Sequence, residues 1–221
     1  MVCPPSSWIR GPLLLFLVAL LAPAPAAAQE GGVDLESIPR PRLQIAPATG
    51  RIEIDGRLDE AAWAGLEVIT DFTQAEPQAG APPSERTEVR ITYDDDHLYF
   101  GARMWDSDPD GLVTGGMERD SPGIIMEEMD SFGVTLDTFL DRRTSVILFV
   151  NPVGGLKDGQ GADDGRSRDY GWNGVVDVRT TIDPEGWTVE MAIPWRTLRY
   201  DPSLEQPEWG LNLLRRIRRR N

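Results

Sequence analysis

The stretch from Glu88 to Met104 alternates so strictly that few chain conformations can use it. Val89, Ile91 and Tyr93 fall on one face, and Glu88, Arg90 and Thr92 on the other. After Asp94-Asp95-Asp96 the apolar face resumes with Leu98, Phe100, Ala102 and Met104. A period of two is strand geometry, because a helix would scatter these residues around its circumference. Two such runs joined by a short acidic turn predict a β-hairpin. Further strands are predicted at Ser131 to Leu136, Thr144 to Asn151, Val175 to Ile182, Gly186 to Ile193 and Trp209 to Ile217. With 22 Gly and 18 Pro to supply turns, the predicted fold is all-β. It is an antiparallel, jelly-roll-like β-sandwich with one or two short helical turns.

Smaller features complete the domain. Arg51 to Asp55 alternates and stops at Gly56, which predicts a short strand; Asp59 is placed to cap the helical turn that follows. Pro152 to Gly174 holds seven Gly and four Asp in 23 residues and reads as one long loop, a functional or disordered connection. The C-terminal Arg215-Arg216-Ile217-Arg218-Arg219-Arg220 reads as a strand and linker cut from a longer protein, or as a polyanion-binding tail.

Residues 1–28 differ in kind. Leu13 to Ala22 is an unbroken apolar run behind Arg10, Pro23 and Pro25 break it, and Ala26-Ala27-Ala28 offers a cleavage site. This is the pattern of a secretory leader. The predicted organisation is therefore a leader at 1–28, a Pro-punctuated linker at 29–50 with order beginning near Arg51, and the sandwich over 51–221. Cleavage would remove Cys3, the only cysteine, and leave His97 as the only histidine. Disulfides, a thiolate nucleophile and cysteine- or multi-histidine zinc sites are then excluded. Acids outnumber basic residues 36 to 22, for a formal charge of −14, which argues against a general nucleic-acid binder.

Three segments carry a family likeness. Ile54-Asp55-Gly56-Arg57-Leu58-Asp59-Glu60-Ala61-Ala62-Trp63 resembles the opening signature of the family 9 carbohydrate-binding modules. Thr92-Tyr93-Asp94-Asp95-Asp96-His97-Leu98-Tyr99-Phe100 resembles the hairpin that follows it, and Gly186 to Trp195 resembles the closing pattern. Ala102 to Asp110, Leu136 to Arg143 and Leu214 to Arg219 are similar to a bacterial family of unknown function that carries this module at its N-terminus, ahead of a region like an outer-membrane barrel. The resemblance implies a non-catalytic, sugar-binding sandwich, often calcium-stabilised. The partners expected are an oligosaccharide or polysaccharide, with an outer-membrane association through a region beyond Asn221. Export would lead to the periplasm, outer membrane or medium.

Candidate site residues follow. With Leu98, Phe100, Ala102 and Met104 inward, the second hairpin strand shows Tyr99, Gly101, Arg103 and Trp105 on its other face. An aromatic ring suits the C–H side of a pyranose and an arginine its hydroxyls, with Gly101 leaving room for the ligand. Packing under a loop or sheet is the alternative for Trp105. Trp172, beside Asp169, Tyr170 and Asn173, could face Trp105 across a sugar or simply anchor its loop. Trp63, Trp187 and Trp195 sit in apolar patterns and are assigned to the core. Asp106-Ser107-Asp108-Pro109-Asp110-Gly111 is the first half of a calcium loop, with Asp106, Asp108 and Asp110 as hard oxygen donors. Its twelfth position is Met117, so it is no EF-hand; an acidic surface turn is the alternative. Asp158, Asp163 and Asp164 form a second, weaker acidic set.

No catalytic constellation stands out. Glu127, Glu128 and Asp130 could be nominated as glycosidase carboxylates, but Glu127-Glu128 is more simply a solvated turn before the strand at Ser131, and His97 sits on a hairpin turn. The reading is a non-enzymatic glycan-binding module. Its alternatives are a structural periplasmic domain of an outer-membrane barrel protein and, behind that, part of a glycoside hydrolase in carbohydrate catabolism.

Overall fold

The structure, a computed structural model, describes residues 41–121 and 128–220. The leader, the first part of the linker and Glu127 lie outside the described residues. In chain order the elements are α1 (Ala61–Ala64), β1 (Thr87–Tyr93), β2 (His97–Trp105), β3 (Ser131–Asp137), β4 (Ser145–Val150), β5 (Leu156–Ala162), β6 (Ser167–Asp169), β7 (Asp177–Asp183), β8 (Gly186–Pro194) and β9 (Gly210–Arg216). They form two antiparallel sheets, ordered β1-β2-β8-β7 and β6-β5-β4-β3-β9. This is the predicted sandwich. Among the described residues no helix is long and apolar enough to cross a membrane.

The alternation sets the packing. Val89 and Ile91 of β1, Leu98, Phe100, Ala102 and Met104 of β2, and Trp187, Val189, Met191 and Ile193 of β8 face Phe132, Val134, Leu136, Leu148 and Val150 in one core. Fully burying a side chain of this size is worth about 1.5–3 kcal/mol, so a slip of one residue in any strand would forfeit several such terms. The β1–β2 turn is fixed by Asp94, whose carboxylate accepts the N–H groups of Asp96 and His97 at 2.8 Å each.

Three local expectations are corrected. The supposed loop contains β5 and β6, paired with each other and, through β5, with β4. Glycines hide these strands from a propensity reading, yet they are needed there: a Cβ on Gly159 would lie 2.7 Å from the Tyr170 ring. Arg51 to Asp55 is not a strand. It crosses over the outer face of the first sheet, where no neighbouring strand can pair with it. Asp59 does not cap α1; the N-cap is Glu60, with no side-chain cap bond. At the N-terminal end, Leu43 and Ile45 already pack against the main core, and Ala48 donates its N–H to Tyr93 O at 2.8 Å.

That crossing segment builds a second, smaller core. Ile52, Ala62 and Trp63 pack on Tyr99 of β2 and Ala192 of β8, with Leu58 alongside. Glu190, fully buried on the same face, holds the segment down. Its carboxylate accepts the N–H groups of Asp55 (2.9 Å) and Gly56 (2.8 Å) and the Trp63 indole N–H (3.0 Å). Burial pushes the Glu190 carboxyl pKa upward while these three donors pull it down.

Of the C-terminal arginines, Arg215, Arg219 and Arg220 are tied into one charge network and not a bare tail. Arg219 reaches both oxygens of Asp106 at 2.6 and 2.8 Å, Arg215 stands 3.3 Å from the same carboxylate, and Glu85 takes Arg219 and Arg220 at 2.9 and 3.0 Å. Burial pulls the Arg215 guanidinium down to about 10 against the attraction of these acids.

This arrangement corrects the calcium expectation for Asp106, Asp108 and Asp110. The Asp106 side chain is completely buried against two guanidinium groups and also accepts the Asp108 N–H at 2.8 Å. A divalent cation there would meet two positive charges and no free carboxylate lone pair, so the residues do not fit one. Asp108 is mostly exposed, and Asp110 sits in a 3-10 turn, Pro109–Gly111. In the second acidic set Asp158 is buried, bound by Arg119 at 2.8 Å and by the Gly174 N–H at 2.5 Å. Asp163 and Asp164 are exposed in the β5–β6 turn.

Two stability measurements test this picture. Glu190→Gln replaces an acceptor-only group by one whose NH2 must face a donor, so urea unfolding should show a loss of about 1–3 kcal/mol; an unchanged midpoint would contradict the anchoring role. Asp106→Asn strands two guanidinium charges and should cost about 3 kcal/mol or more, while a chelator leaves the wild-type melting temperature unchanged. A chelator-sensitive melt would restore the metal reading.

Candidate functional site

The outer face of the first sheet is only partly covered. The crossing segment sits on Gly101 and Glu190, and the room that Gly101 provides is filled from within. A Cβ there would lie 2.6 Å from Leu58 and 3.1 Å from Trp63, so that space serves the segment and not a ligand. Tyr99 is buried beneath the same segment, its hydroxyl donating to Asp94 at 2.7 Å. Tyr99 is thereby removed from the candidate surface, and its phenol is pushed up by burial and by Asp94.

The segment also covers Thr188, whose hydroxyl donates to Gly56 O, and a groove of about 590 Å³ lies along the segment's edge. Arg57, Leu58, Asp59, Trp63 and Ala64 form one side. Arg103, Thr188 and Glu88 form the floor, with Trp105, Asp183 and Glu185 opposite. Arg103 is 9% exposed and held by a bidentate pair with Asp183, at 2.5 and 2.8 Å. The guanidinium lies 4.5 Å from the Trp105 ring centre, so the pair also fixes the indole by cation–π contact. Arg86 approaches the same ring at 5.7 Å. Arg103 holds the Asp183 carboxyl below the usual aspartate range. Glu88 is likewise engaged by Arg86 and Arg90.

The structure thus brings Arg103 and Trp105 together and leaves the other two aromatics elsewhere. Trp172 is half-buried against the main core, where its ring abuts Gly174, 2.5 Å from where a Cβ would stand. It does not line the groove, and a sandwich of a sugar between Trp105 and Trp172 is not formed. Trp63 and Trp187 are fully buried as expected, whereas Trp195 is half-buried in an edge-on cluster with Tyr93, Tyr200 and Trp209. The sequence reading missed Arg57, Asp59, Glu88, Asp183, Thr188 and Glu185. The available signal was the shared outer parity of Glu88, Arg103 and Thr188 on three predicted strands, which gains meaning only once strand order is known; Asp183 fell just past the predicted end of its strand.

The other nominated residues that the structure describes lie apart from the groove. Asp130 is buried, with its carboxylate accepting the Val113 and Arg218 N–H groups at 2.7 and 3.3 Å, while Glu128 is exposed. His97 lies on the hairpin turn, 3.8 Å from Asp94, beside a smaller depression with Asp95, Asp96 and Trp195. Among the described residues no group of three His, Cys, Asp or Glu side chains is placed to hold a metal.

Residues 54–214 match the model of the carbohydrate family 9 binding domain-like family. A candidate carbohydrate-binding protein of Bacteroides uniformis shares the fold, with a TM-score of 0.60 at 13% identity over 78% of this chain and 82% of that one. A family 9 carbohydrate-binding module of Caldicellulosiruptor kristjanssonii, solved with cellotriose and with glucose, gives a TM-score of 0.49 at 18% identity over 76% and 74%. Comparison with curated proteins gives no match. The family model spans both sheets and the segment that borders the groove, and the chain belongs to the carbohydrate family 9 binding domain-like family.

Proposed function

We propose that the chain is a non-catalytic glycan-binding module and that its site is the groove beside Trp105. The observation that carries this reading is the lining itself. Leu58 and Trp105 line the groove together with Arg57, Asp59, Glu88 and Arg103, the mixture of apolar and polar groups expected of a saccharide site. The charges in the floor are already paired: Arg103 with Asp183, and Glu88 with Arg86 and Arg90. A neutral, hydroxyl-rich ligand needs no unpaired buried charge, and Arg57, Asp59 and Glu185, exposed on the rim, can exchange water for hydroxyls at little cost.

In this reading Trp105 offers the C–H side of a pyranose whatever ring surface Arg103 and Arg86 leave free, and Arg103 acts as both strut and donor. The module is exported, on the strength of the leader pattern in residues 1–28. It works at the cell envelope, as the likeness to barrel-associated modules suggests.

Binding to cello-, xylo- and manno-oligosaccharides by calorimetry tests the proposal. Trp105→Ala and Arg103→Ala should each lower affinity at least about tenfold, a loss of about 1.4 kcal/mol. Trp172→Ala should leave affinity unchanged while costing about 3 kcal/mol of stability through lost packing. Loss of binding in Trp172→Ala alone would move the site away from the groove.

A pH titration gives a second test. Asp183 has a depressed folded pKa, so its pair with Arg103 is present above the ordinary aspartate range and is lost as pH falls through the depressed value. Affinity should hold from neutrality down through the ordinary aspartate range and fall only as the pH passes the depressed value below it. Binding that strengthens on acidification would contradict the role of the pair.

A further inference from the structure

The turn between β3 and β4 presents two large apolar side chains to water. Phe139 is 52% exposed and its neighbour Leu140 47%. Leu140 has φ +52° and Arg142 φ +57°, left-handed backbone that suits glycine and disfavours residues with a Cβ. Bonds within the turn hold this shape. Asp137 accepts the N–H groups of Asp141 and Arg142 at 3.2 and 2.7 Å, and Asp141 accepts those of Arg143 and Thr144 at 2.7 and 2.8 Å. Glycine at position 140 would take the same backbone without strain. A leucine there, half in water, gives the fold little and needs a reason outside it.

Apolar surface continues beside the tip. The Thr138 hydroxyl donates to Arg199 O and Asp137 lies in register with Gly210, so both ends of the stretch from Arg199 to Gly210 border the turn. That stretch and the residue after it add exposed Leu204 and Leu211 and the half-buried pair Tyr200 and Trp209. Arg142, Arg143 and Arg199 are exposed around this surface. Asp201 accepts the Ser203 N–H and hydroxyl at 2.9 and 2.6 Å, and Glu208 pairs with Arg42 at 3.4 Å, which leaves the exposed Glu205 to oppose the arginines. Apolar tip residues, cations beside them and amphipathic aromatics at the base suit the polar boundary of a bilayer.

We infer that this end of the sandwich docks on an anionic lipid surface. Phe139 and Leu140 enter the boundary between headgroups and acyl chains, and Arg142, Arg143 and Arg199 meet lipid phosphates. The formal charge of −14 does not forbid this, because the Debye length at physiological salt is about 8 Å and the lipid feels the tip far more than distant acids. The docking is independent of the glycan reading and leaves the groove clear. Trp195, 6.2 Å from Trp209, follows Pro194, the partner of His97; Trp105 ends the same strand β2, roughly 27 Å further on.

Vesicle sedimentation tests the docking. The full chain is spun with vesicles of phosphatidylethanolamine and phosphatidylglycerol, with phosphatidylcholine vesicles, and alone. Any pull from the apolar run at Leu13 to Ala22 is common to all variants and drops out of their comparison. Wild type should sediment with the anionic vesicles, more weakly as salt rises. Phe139→Ser with Leu140→Gly should lower the partition coefficient at least about tenfold, and Arg142→Gln with Arg143→Gln about fivefold for each arginine. Leu140→Gly alone should keep or raise the melting temperature. Absence of anionic-vesicle binding, or equal binding by wild type and both double variants, overturns the docking. So does a lower melting temperature in Leu140→Gly, which would show that the leucine serves the fold. A lipid-free dimer in ultracentrifugation that Phe139→Ser abolishes, with no vesicle binding, would make the tip an interface between copies and likewise overturn it.

Discussion

One carboxylate organises the outer face of this sandwich. Glu190 sits in the middle of β8 with its side chain turned away from the main core, a position where an unpaired charge would be costly. Its cost is met by three donors, all from the segment between Asp55 and Trp63. The segment has no strand partner of its own, so these bonds, the Thr188 hydroxyl on Gly56 O and the fit of Leu58 and Trp63 over Gly101 decide where it lies. Where it lies decides the groove, because its edge is one of the two walls. A local signature of ten residues thus acts at long range, through contacts to strands more than a hundred positions later.

The C-terminal end obeys a different rule. Asp106, Glu85, Arg215, Arg219 and Arg220 exchange charge inside a low-dielectric corner, where breaking one partner is far more costly than the intact network is worth. The consequence is geometric. β9 and the turn after it are fixed to the end of β2, directly after Trp105, since Arg215 also donates to Trp105 O at 2.7 Å. The indole is thereby steadied from the backbone side by Arg215 and from the ring side by Arg103.

Strands were legible wherever side chains declared a buried face. Val89 to Met104 shows both strands of a hairpin and the turn between them, and Trp187 to Ile193 does the same for β8. β5 was illegible because Gly159 and Gly161 carry no side chain to alternate, and their role is to admit neighbours on the sheet surface. Arg51 to Asp55 misled for the opposite reason: its alternation is real, with Ile52 buried, but it packs on a sheet without joining one. Face parity placed Arg103 and Trp105 on the outer face of the first sheet, and there the structure has them side by side. The same parity also nominated Tyr99, because nothing local shows that a segment forty residues upstream lies on top of it. The D-x-D-x-D-G run misled because spacing reports which oxygens could converge, and not which arginines from the far end of the chain already occupy them.

The claim at the centre of this account is that a glycan lies across the first sheet between the crossing segment and Trp105. The most direct measurement is an amide and indole chemical-shift titration of the labelled domain with a binding oligosaccharide. The account requires the largest shifts at Arg103, Trp105, Thr188, Thr181 and Arg57 to Asp59, with Trp172 and the Asp106 cluster silent. Shifts concentrated around Trp172, or around Trp195 and His97, would contradict it.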